Sequence, residues 1–167
     1  MFAFNLPIPG SGTGDAVAAF DPTKTSSTRM APKGACAWYN HATYGMQLYR
    51  QVKLTTVTVV GQVYQWDTSV KDNETCEVAV AASTKILTAG VAQTVFPTGV
   101  YCWLLVRGQG LGLSDGITAE AAEIQVATAD GSISDAAASG ADPGEYIGYA
   151  VAEIADNATG VCAFTIY

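Results

Sequence analysis

Hydrophobic positions along this chain fall into short β-branched runs broken by turn residues, a pattern that predicts strands. Gln47 to Tyr64 carries Leu48, Val52, Leu54, Val57, Val59, Val60 and Val63, with Thr55, Thr56 and Thr58 between them. Side chains of this shape suit a pleated surface better than a helix. Gly61 marks a turn or bulge inside the run, and Asp67 to Thr75 is a polar loop. Glu77 to Ala82, Lys85 to Gly90 and Val91 to Phe96 follow as short strands, closed by a Pro97-Thr98-Gly99 turn. Val100 to Val106 is the most apolar run and reads as a central strand; the glycine-rich stretch from Gly108 to Gly116 after it reads as a flexible loop. Asp130-Gly131 is a hairpin turn signal between Ile124–Ala127 and Ser132-Ile133. Tyr146 to Ile154 and Val161 to Tyr167 close the chain as strands. The Ala-rich stretches Thr118 to Ala122 and Asp135 to Ala141 suit at most a turn or two of helix, since no long amphipathic period appears. Strands spaced roughly 10–15 residues apart with turns between them point to an all-β fold, a small β-barrel or β-sandwich. One loose internal echo sets Leu54-Thr55, Gln62-Val63-Tyr64 and Asp67 against Ile117-Thr118, Ile124-Gln125-Val126 and Asp130. It is too weak to establish a duplication.

Residues 1–34 follow a different rule. They hold four of the six prolines (Pro7, Pro9, Pro22, Pro32) and the small-residue loop Gly10-Ser11-Gly12-Thr13-Gly14. Proline removes backbone donors and excludes regular helix, so the stretch reads as an extended N-terminal arm ahead of a β-domain at 35–167. Phe2, Phe4, Leu6 and Ile8 alternate with smaller or polar residues, which places all four on one face of an extended segment. Such a face suits a groove or a sheet edge, on a partner or on its own domain, and these four are candidate partner-contact residues. The apolar start lacks a positive n-region and is interrupted by prolines, so it is not read as a signal peptide, and synthesis in a cytoplasm is expected.

Composition narrows the function. At 167 residues the chain is long enough for one domain with its own core. Charged residues are 14%, against about 25% in an average globular protein. With mean hydropathy +0.21 this argues against disorder and suggests surface that is covered in use. Eight scattered Lys and Arg against fifteen Asp and Glu leave a net charge of −7 and no basic patch, so nucleic acid is not expected as a partner. No apolar run approaches the ~20 residues of a membrane span, and no membrane partner is expected.

Candidate chemistry is sparse. His41 is the lone histidine, within the aromatic stretch Trp38-Tyr39-Asn40-His41-Ala42-Thr43-Tyr44, and reads as structural before catalytic. Cys36, Cys76, Cys102 and Cys162 have no paired spacing, so they read as buried free thiols, a single bridge being the alternative. Neither a metal-ligand cluster nor a calcium loop is present in the sequence, and no cofactor is expected. Gly10 to Asp15 lacks the Lys-Ser/Thr of a P-loop. Gly108-Gln109-Gly110-Leu111-Gly112-Leu113 has Leu113 where a dinucleotide fingerprint needs its third glycine. Nothing singles out a carboxylate pair for a small hydrolase. The rings of Trp38, Tyr39, Tyr44 and Tyr49 admit a carbohydrate-stacking reading, although aromatics serve as core or interface anchors more often. Trp103, in the most apolar strand, is expected to be such an anchor, in the core or at a partner contact.

Several motifs in order carry a resemblance. Gly90-Val91-Ala92-Gln93 followed by Tyr101-Cys102-Trp103-Leu104-Leu105-Val106-Arg107-Gly108 resembles the paired central strands of the capsid decoration (cement) proteins of tailed bacteriophages. Tyr44-Gly45-Met46-Gln47-Leu48-Tyr49 is similar to that family's opening strand. Asp130-Gly131-Ser132-Ile133 and Tyr146-Ile147-Gly148-Tyr149-Ala150 are similar to its later turn and strand. The likeness spans about residues 44–167; Cys102 stands where glycine is common, Met46-Gln47 replaces an acidic residue, and the arm has no counterpart. The resemblance implies a non-enzymatic virion protein on the capsid exterior. It would bind the major capsid protein, clamp neighbouring capsid subunits and associate with itself as a homotrimer, with a dimer as alternative. A receptor- or glycan-binding module of a virion fibre or surface protein is the competing expectation.

Overall fold

The computed structural model describes residues 20–70, 72, 74–79, 87–127, 130–136 and 146–166. Ten strands form among the described residues: β1 (Cys36–His41), β2 (Gly45–Leu54), β3 (Val63–Trp66), β4 (Thr75–Val78), β5 (Thr88–Val91), β6 (Tyr101–Leu113), β7 (Glu123–Val126), β8 (Ile133–Asp135), β9 (Tyr146–Ala150) and β10 (Thr159–Thr165). There is no α-helix among those residues, and the all-β, barrel-like expectation holds.

The strands are hydrogen-bonded in the order β1-β2-β4-β3-β5-β6-β10-β9-β7-β8, with β2 also pairing β6. That extra pairing closes a ring, β2-β4-β3-β5-β6 and back to β2. A second ring runs β6-β10-β9-β7-β8 and closes through a parallel bridge from Ile133 to Ser114, just past the end of β6. The long strand β6 serves both. Its first half pairs with β2 (Cys102 opposite Val52, Leu104 opposite Arg50) and its second half pairs with β10 (Gly110 opposite Cys162, Gly112 opposite Gly160).

The two rings are copies of one topology. The parallel bridge Ser114–Ile133 repeats the parallel pair Leu54–Cys76. The bond from Leu54 N–H to Val100 C=O recurs as Ser114 to Ala158, that from Thr58 to Phe96 as Thr118 to Ile154, and that from Gly61 to Ala92 as Ala121 to Ala150. Even the irregularities recur. The ladder slips after Tyr64 opposite Gly90, and again after Ile124 opposite Gly148. Positive φ recurs at Gly61 (82°) and Ala121 (59°), at Gly90 (155°) and Gly148 (151°), and at Gly99 (77°) and Asn157 (53°).

Each ring has its own filling. Val52, Leu54, Tyr64, Cys76, Ala89, Ala92, Phe96, Cys102 and Leu104 fill the first. Ile124, Val126, Ile133, Ile147, Ala150, Ile154, Cys162 and Phe164 fill the second, in one cluster with Tyr49, Val63, Val91, Trp103 and Leu105 on the outer face of the first ring. The seam is fastened by backbone and glutamine bonds. Leu113 N–H donates to Gly61 C=O and Val63 N–H to Gly131 C=O. Gln62 Nε2 donates to Asp130 C=O at 2.6 Å, and Gln93 brackets Leu111, its Nε2 donating to the carbonyl at 3.0 Å and its Oε1 accepting from the N–H at 2.8 Å.

Several predicted elements differ: residues 55–62 of the Gln47–Tyr64 run and residues 151–153 are not strand. Gly108 to Leu113 is strand, not loop. Its glycines leave room for neighbours: a Cβ at Gly110 would lie 2.4 Å from Leu105 Cδ2, and one at Gly112 2.7 Å from Ile133 Cδ1. Residues 92–96 are irregular, because Phe96 N–H bonds the Thr58 hydroxyl and the Thr58 N–H bonds Phe96 C=O, not a ladder partner.

Candidate binding surfaces

Residues 20–34 lie along the first ring. Ser26 makes a two-way backbone bridge to Tyr101. Arg29 reaches Glu74 in a two-pronged ion pair, Nε to Oε1 at 2.8 Å and Nη2 to Oε2 at 2.5 Å. The guanidinium holds the Glu74 carboxyl below its usual value of 4.5. Ala31 N–H donates to Gln51 Oε1. At the head of this segment Phe20 meets Trp103 edge-on, ring centres 4.8 Å apart, with Tyr49 and Tyr39 at 6.1 and 6.3 Å.

Beside that aromatic cluster lies a cleft of about 140 Å³ lined by Pro22, Tyr39, His41, Gln93, Phe96 and Trp103, among others. Its inner wall is tied down. Tyr49 O–H donates to Gln47 Oε1, and Gln47 Nε2 donates to Gln109 C=O. Burial pushes the Tyr49 phenol well up, so it stays a neutral donor. His41 stacks on Tyr44 at 4.7 Å, and its Nδ1 accepts the Thr43 and Tyr44 N–H groups. The lone histidine therefore fastens the β1–β2 hairpin. Tyr39 meets Phe20, His41 and Tyr49 at steep angles, as core anchors do, while Trp38 faces solvent.

Trp103 is 6% exposed and belongs to the large core cluster, under Phe20. Phe2, Phe4, Leu6 and Ile8 lie outside the described residues. Cys76, Cys102 and Cys162 are buried free thiols and Cys36 is a half-buried one. Burial pushes Cys162 up to about 12 and raises Cys76 and Cys102 well above the usual thiol value, so all three are protonated at neutral pH. Among the described residues no cluster of His, Cys, Asp or Glu is arranged to hold a metal.

Three further surfaces expose apolar side chains; of their residues only Trp38 reads as a binding candidate from the sequence. Val57, Val59 and Val95 are exposed at one end of the first ring, Val95 at 62%. Ile117, the counterpart of Val57 in the second ring, is 70% exposed. On β9, Tyr146 and Tyr149 face solvent. The third surface is β1 itself, the outermost strand of the order, with Trp38 37% exposed and Met46 beside it. Read singly, exposed apolar residues carry no signal; only the topology shows that Val57 and Ile117 occupy one place twice.

No family model matches the chain, and no curated protein matches it. Among solved structures, the N base of the head fiber protein gp8.5 of bacteriophage phi29 is similar. It aligns with a TM-score of 0.52 at 12% sequence identity, over 72% of this chain and 95% of that one. The likeness is one of fold.

Proposed function

We propose that this protein is a non-enzymatic structural component of a phage virion. In this reading it sits on the capsid exterior as a decoration, or cement, protein and clamps neighbouring copies of the major capsid protein. The observation that carries the reading is the fold shared with 95% of a phage head-fiber base. The low charged fraction and the matched apolar tips at Val57 and Ile117 support it, since a lattice-binding subunit covers such surface in use. Two copies of one unit also suit contact with two equivalent neighbours on a lattice. A second reading, a receptor- or glycan-binding module of a virion fibre or surface protein, such as a fibre base, is favoured by the likeness to the N base of a head fiber.

The test is the copy number in purified particles, combined with rebinding of the recombinant protein to particles lacking it. Copy numbers near that of the shell protein, with a gain in particle resistance to heat, are expected. A few copies per particle with no such gain would favour the fibre base, and no association at all would overturn both.

A further inference from the structure

We infer that the outer edge of β1 is a self-association surface that pairs with the same edge of a second copy of this chain. The inference does not depend on the capsid reading. Closure of the two rings carries the first step. The strand order ends at β1 and β8, and β8 is bound back through Ile133 to Ser114. Only β1 is left at an open end of the order among the described residues.

The register identifies the groups that face outward. Gln51 N–H donates to Ala35 C=O, so Ala35 and Gln51 are a hydrogen-bonded pair of the β1–β2 ladder. Ala37–Tyr49, Tyr39–Gln47 and His41–Gly45 are the next such pairs along it. The backbone N–H and C=O groups of Cys36, Trp38 and Asn40 therefore point away from β2. An edge of this kind recruits another strand unless something blunts it. β1 has none of the usual devices: it contains no proline, no lysine and no bulge in its pairing with β2.

Charge selects the partner. The whole hairpin from Ala35 to Tyr49 contains no Asp, Glu, Lys or Arg, in a chain whose net charge is −7. Two copies that repel elsewhere meet no like charge at this edge. The parity is self-complementary. In an antiparallel two-fold pair Trp38 lies opposite Trp38 of the second copy, and Cys36 lies opposite Asn40. The paired rings cover the exposed Trp38–Met46 strip, and the β1-β2-β6-β10 row continues across the axis. A two-fold pair differs from the trimer that the phage resemblance implies.

Sedimentation equilibrium or light scattering on the full chain should give twice the 17.3 kDa chain mass. Asn40→Pro removes only an outward N–H, and Trp38→Lys adds an edge charge. Each should weaken dimerisation by at least about 30-fold, with the circular dichroism of the parent. If Asn40→Pro fails to fold, Trp38→Lys carries the test. Asn40→Cys should form an intermolecular disulfide with Cys36 of the second copy on mild oxidation, because hydrogen-bonded pairs hold Cα atoms about 5.5 Å apart. A monomer at 100-fold varied concentration overturns the inference, whether or not the Trp38 and Asn40 amides resist exchange. So does a trimer, and so does a dimer indifferent to both substitutions.

Discussion

Replacing Gly61 with alanine tests the seam between the two rings, and the equivalent turn in the second ring supplies the control. Gly61 has φ 82°, and a Cβ there would lie 2.5 Å from the Leu113 nitrogen and 2.7 Å from the Gly112 carbonyl carbon. Both are backbone atoms of β6, so no side chain can swing aside. A positive φ costs an L-residue about 1–2 kcal/mol. Forcing a methyl group into packed structure costs about 1–3 kcal/mol. Restricting the unfolded chain offsets about 0.4–1 kcal/mol of that. Gly61→Ala should therefore lose about 2–4 kcal/mol. Ala121 holds the matching place with φ 59° and is exposed. There Ala121→Gly relieves the same backbone strain and gives back about 0.5–1 kcal/mol of chain entropy, for a net gain of about 0.5–1 kcal/mol. Urea unfolding followed by tryptophan fluorescence and circular dichroism reads both, provided the m-value stays constant. Opposite signs at two equivalent turns are the expected result. If Gly61→Ala lies within about 0.5 kcal/mol of the parent, the close approach of Gly61 to β6 does not exist and the ring–ring seam is misdrawn.

Three further outcomes follow from single sites. Trp103→Ala should lose about 3–5 kcal/mol, because the indole is buried under Phe20 in the largest core cluster; an unchanged melting temperature would remove it from the core. In the native protein at pH 8 a disulfide reagent should modify Cys36 first, with Cys76, Cys102 and Cys162 reacting only after denaturation, since burial holds those three thiols protonated. Glu74→Gln should cost about 1 kcal/mol at pH 7 by removing the partner of the half-exposed Arg29 side chain. Because the folded carboxyl sits below its usual 4.5, the stabilisation is present above that value and is lost as pH falls through the lowered folded value, so parent and variant should converge in acid melts.

The parts of the fold that were legible in the chain are those where side-chain shape and strand position coincide. Val100 to Val106 read as a central strand, and all of it but Val100 forms the first half of β6, buried from Cys102 to Val106. β1 was not legible: CAWYNH contains no β-branched residue, and what holds it is the hairpin to β2 and the His41 cap, both tertiary facts. The glycine run after Arg107 was misread for the opposite reason. Glycine in isolation signals a loop, yet Gly110 and Gly112 are needed because Leu105, Gln93 and Ile133 occupy the space a Cβ would take. Trp103 read as an anchor from its neighbours alone. The cleft beside it did not, since Pro22, Tyr39, Gln93 and Phe96 come together only when both ends of the first ring are folded.

The duplication was the least legible feature, and its chemistry explains why. The sequence echo sets Leu54 against Ile117, whereas the hydrogen bonds set Leu54 against Ser114 and Thr58 against Thr118. Ring interiors have exchanged side chains of different size and polarity while staying buried: Tyr64 is matched by Ile124, Phe96 by Ile154 and Leu104 by Cys162. Identity survives where a side chain would obstruct backbone. Gly90 and Gly148 are both glycine because a Cβ would strike β6 in one ring (2.6 Å from Leu104 Cβ) and β10 in the other (2.0 Å from the Ala163 carbonyl oxygen). Ala92 and Ala150 are both alanine, buried where the chain turns back past Gln62 and Ala122. Exposed positions have drifted most, and there the rings have separated in character. Val59 and Val95 of the first ring correspond to Ala119 and Glu153 of the second, while Val57 and Ile117 both stay apolar and exposed. An apolar side chain that gains nothing from the core at either site, yet is present at both, is a surface the proposed capsid contact would use. If the proposed capsid contact runs through these tips, Ile117→Asp and Val57→Asp should leave the melting temperature within about 2 °C of the parent and weaken particle binding together. Particle binding unchanged in the double variant would assign those tips to bare surface.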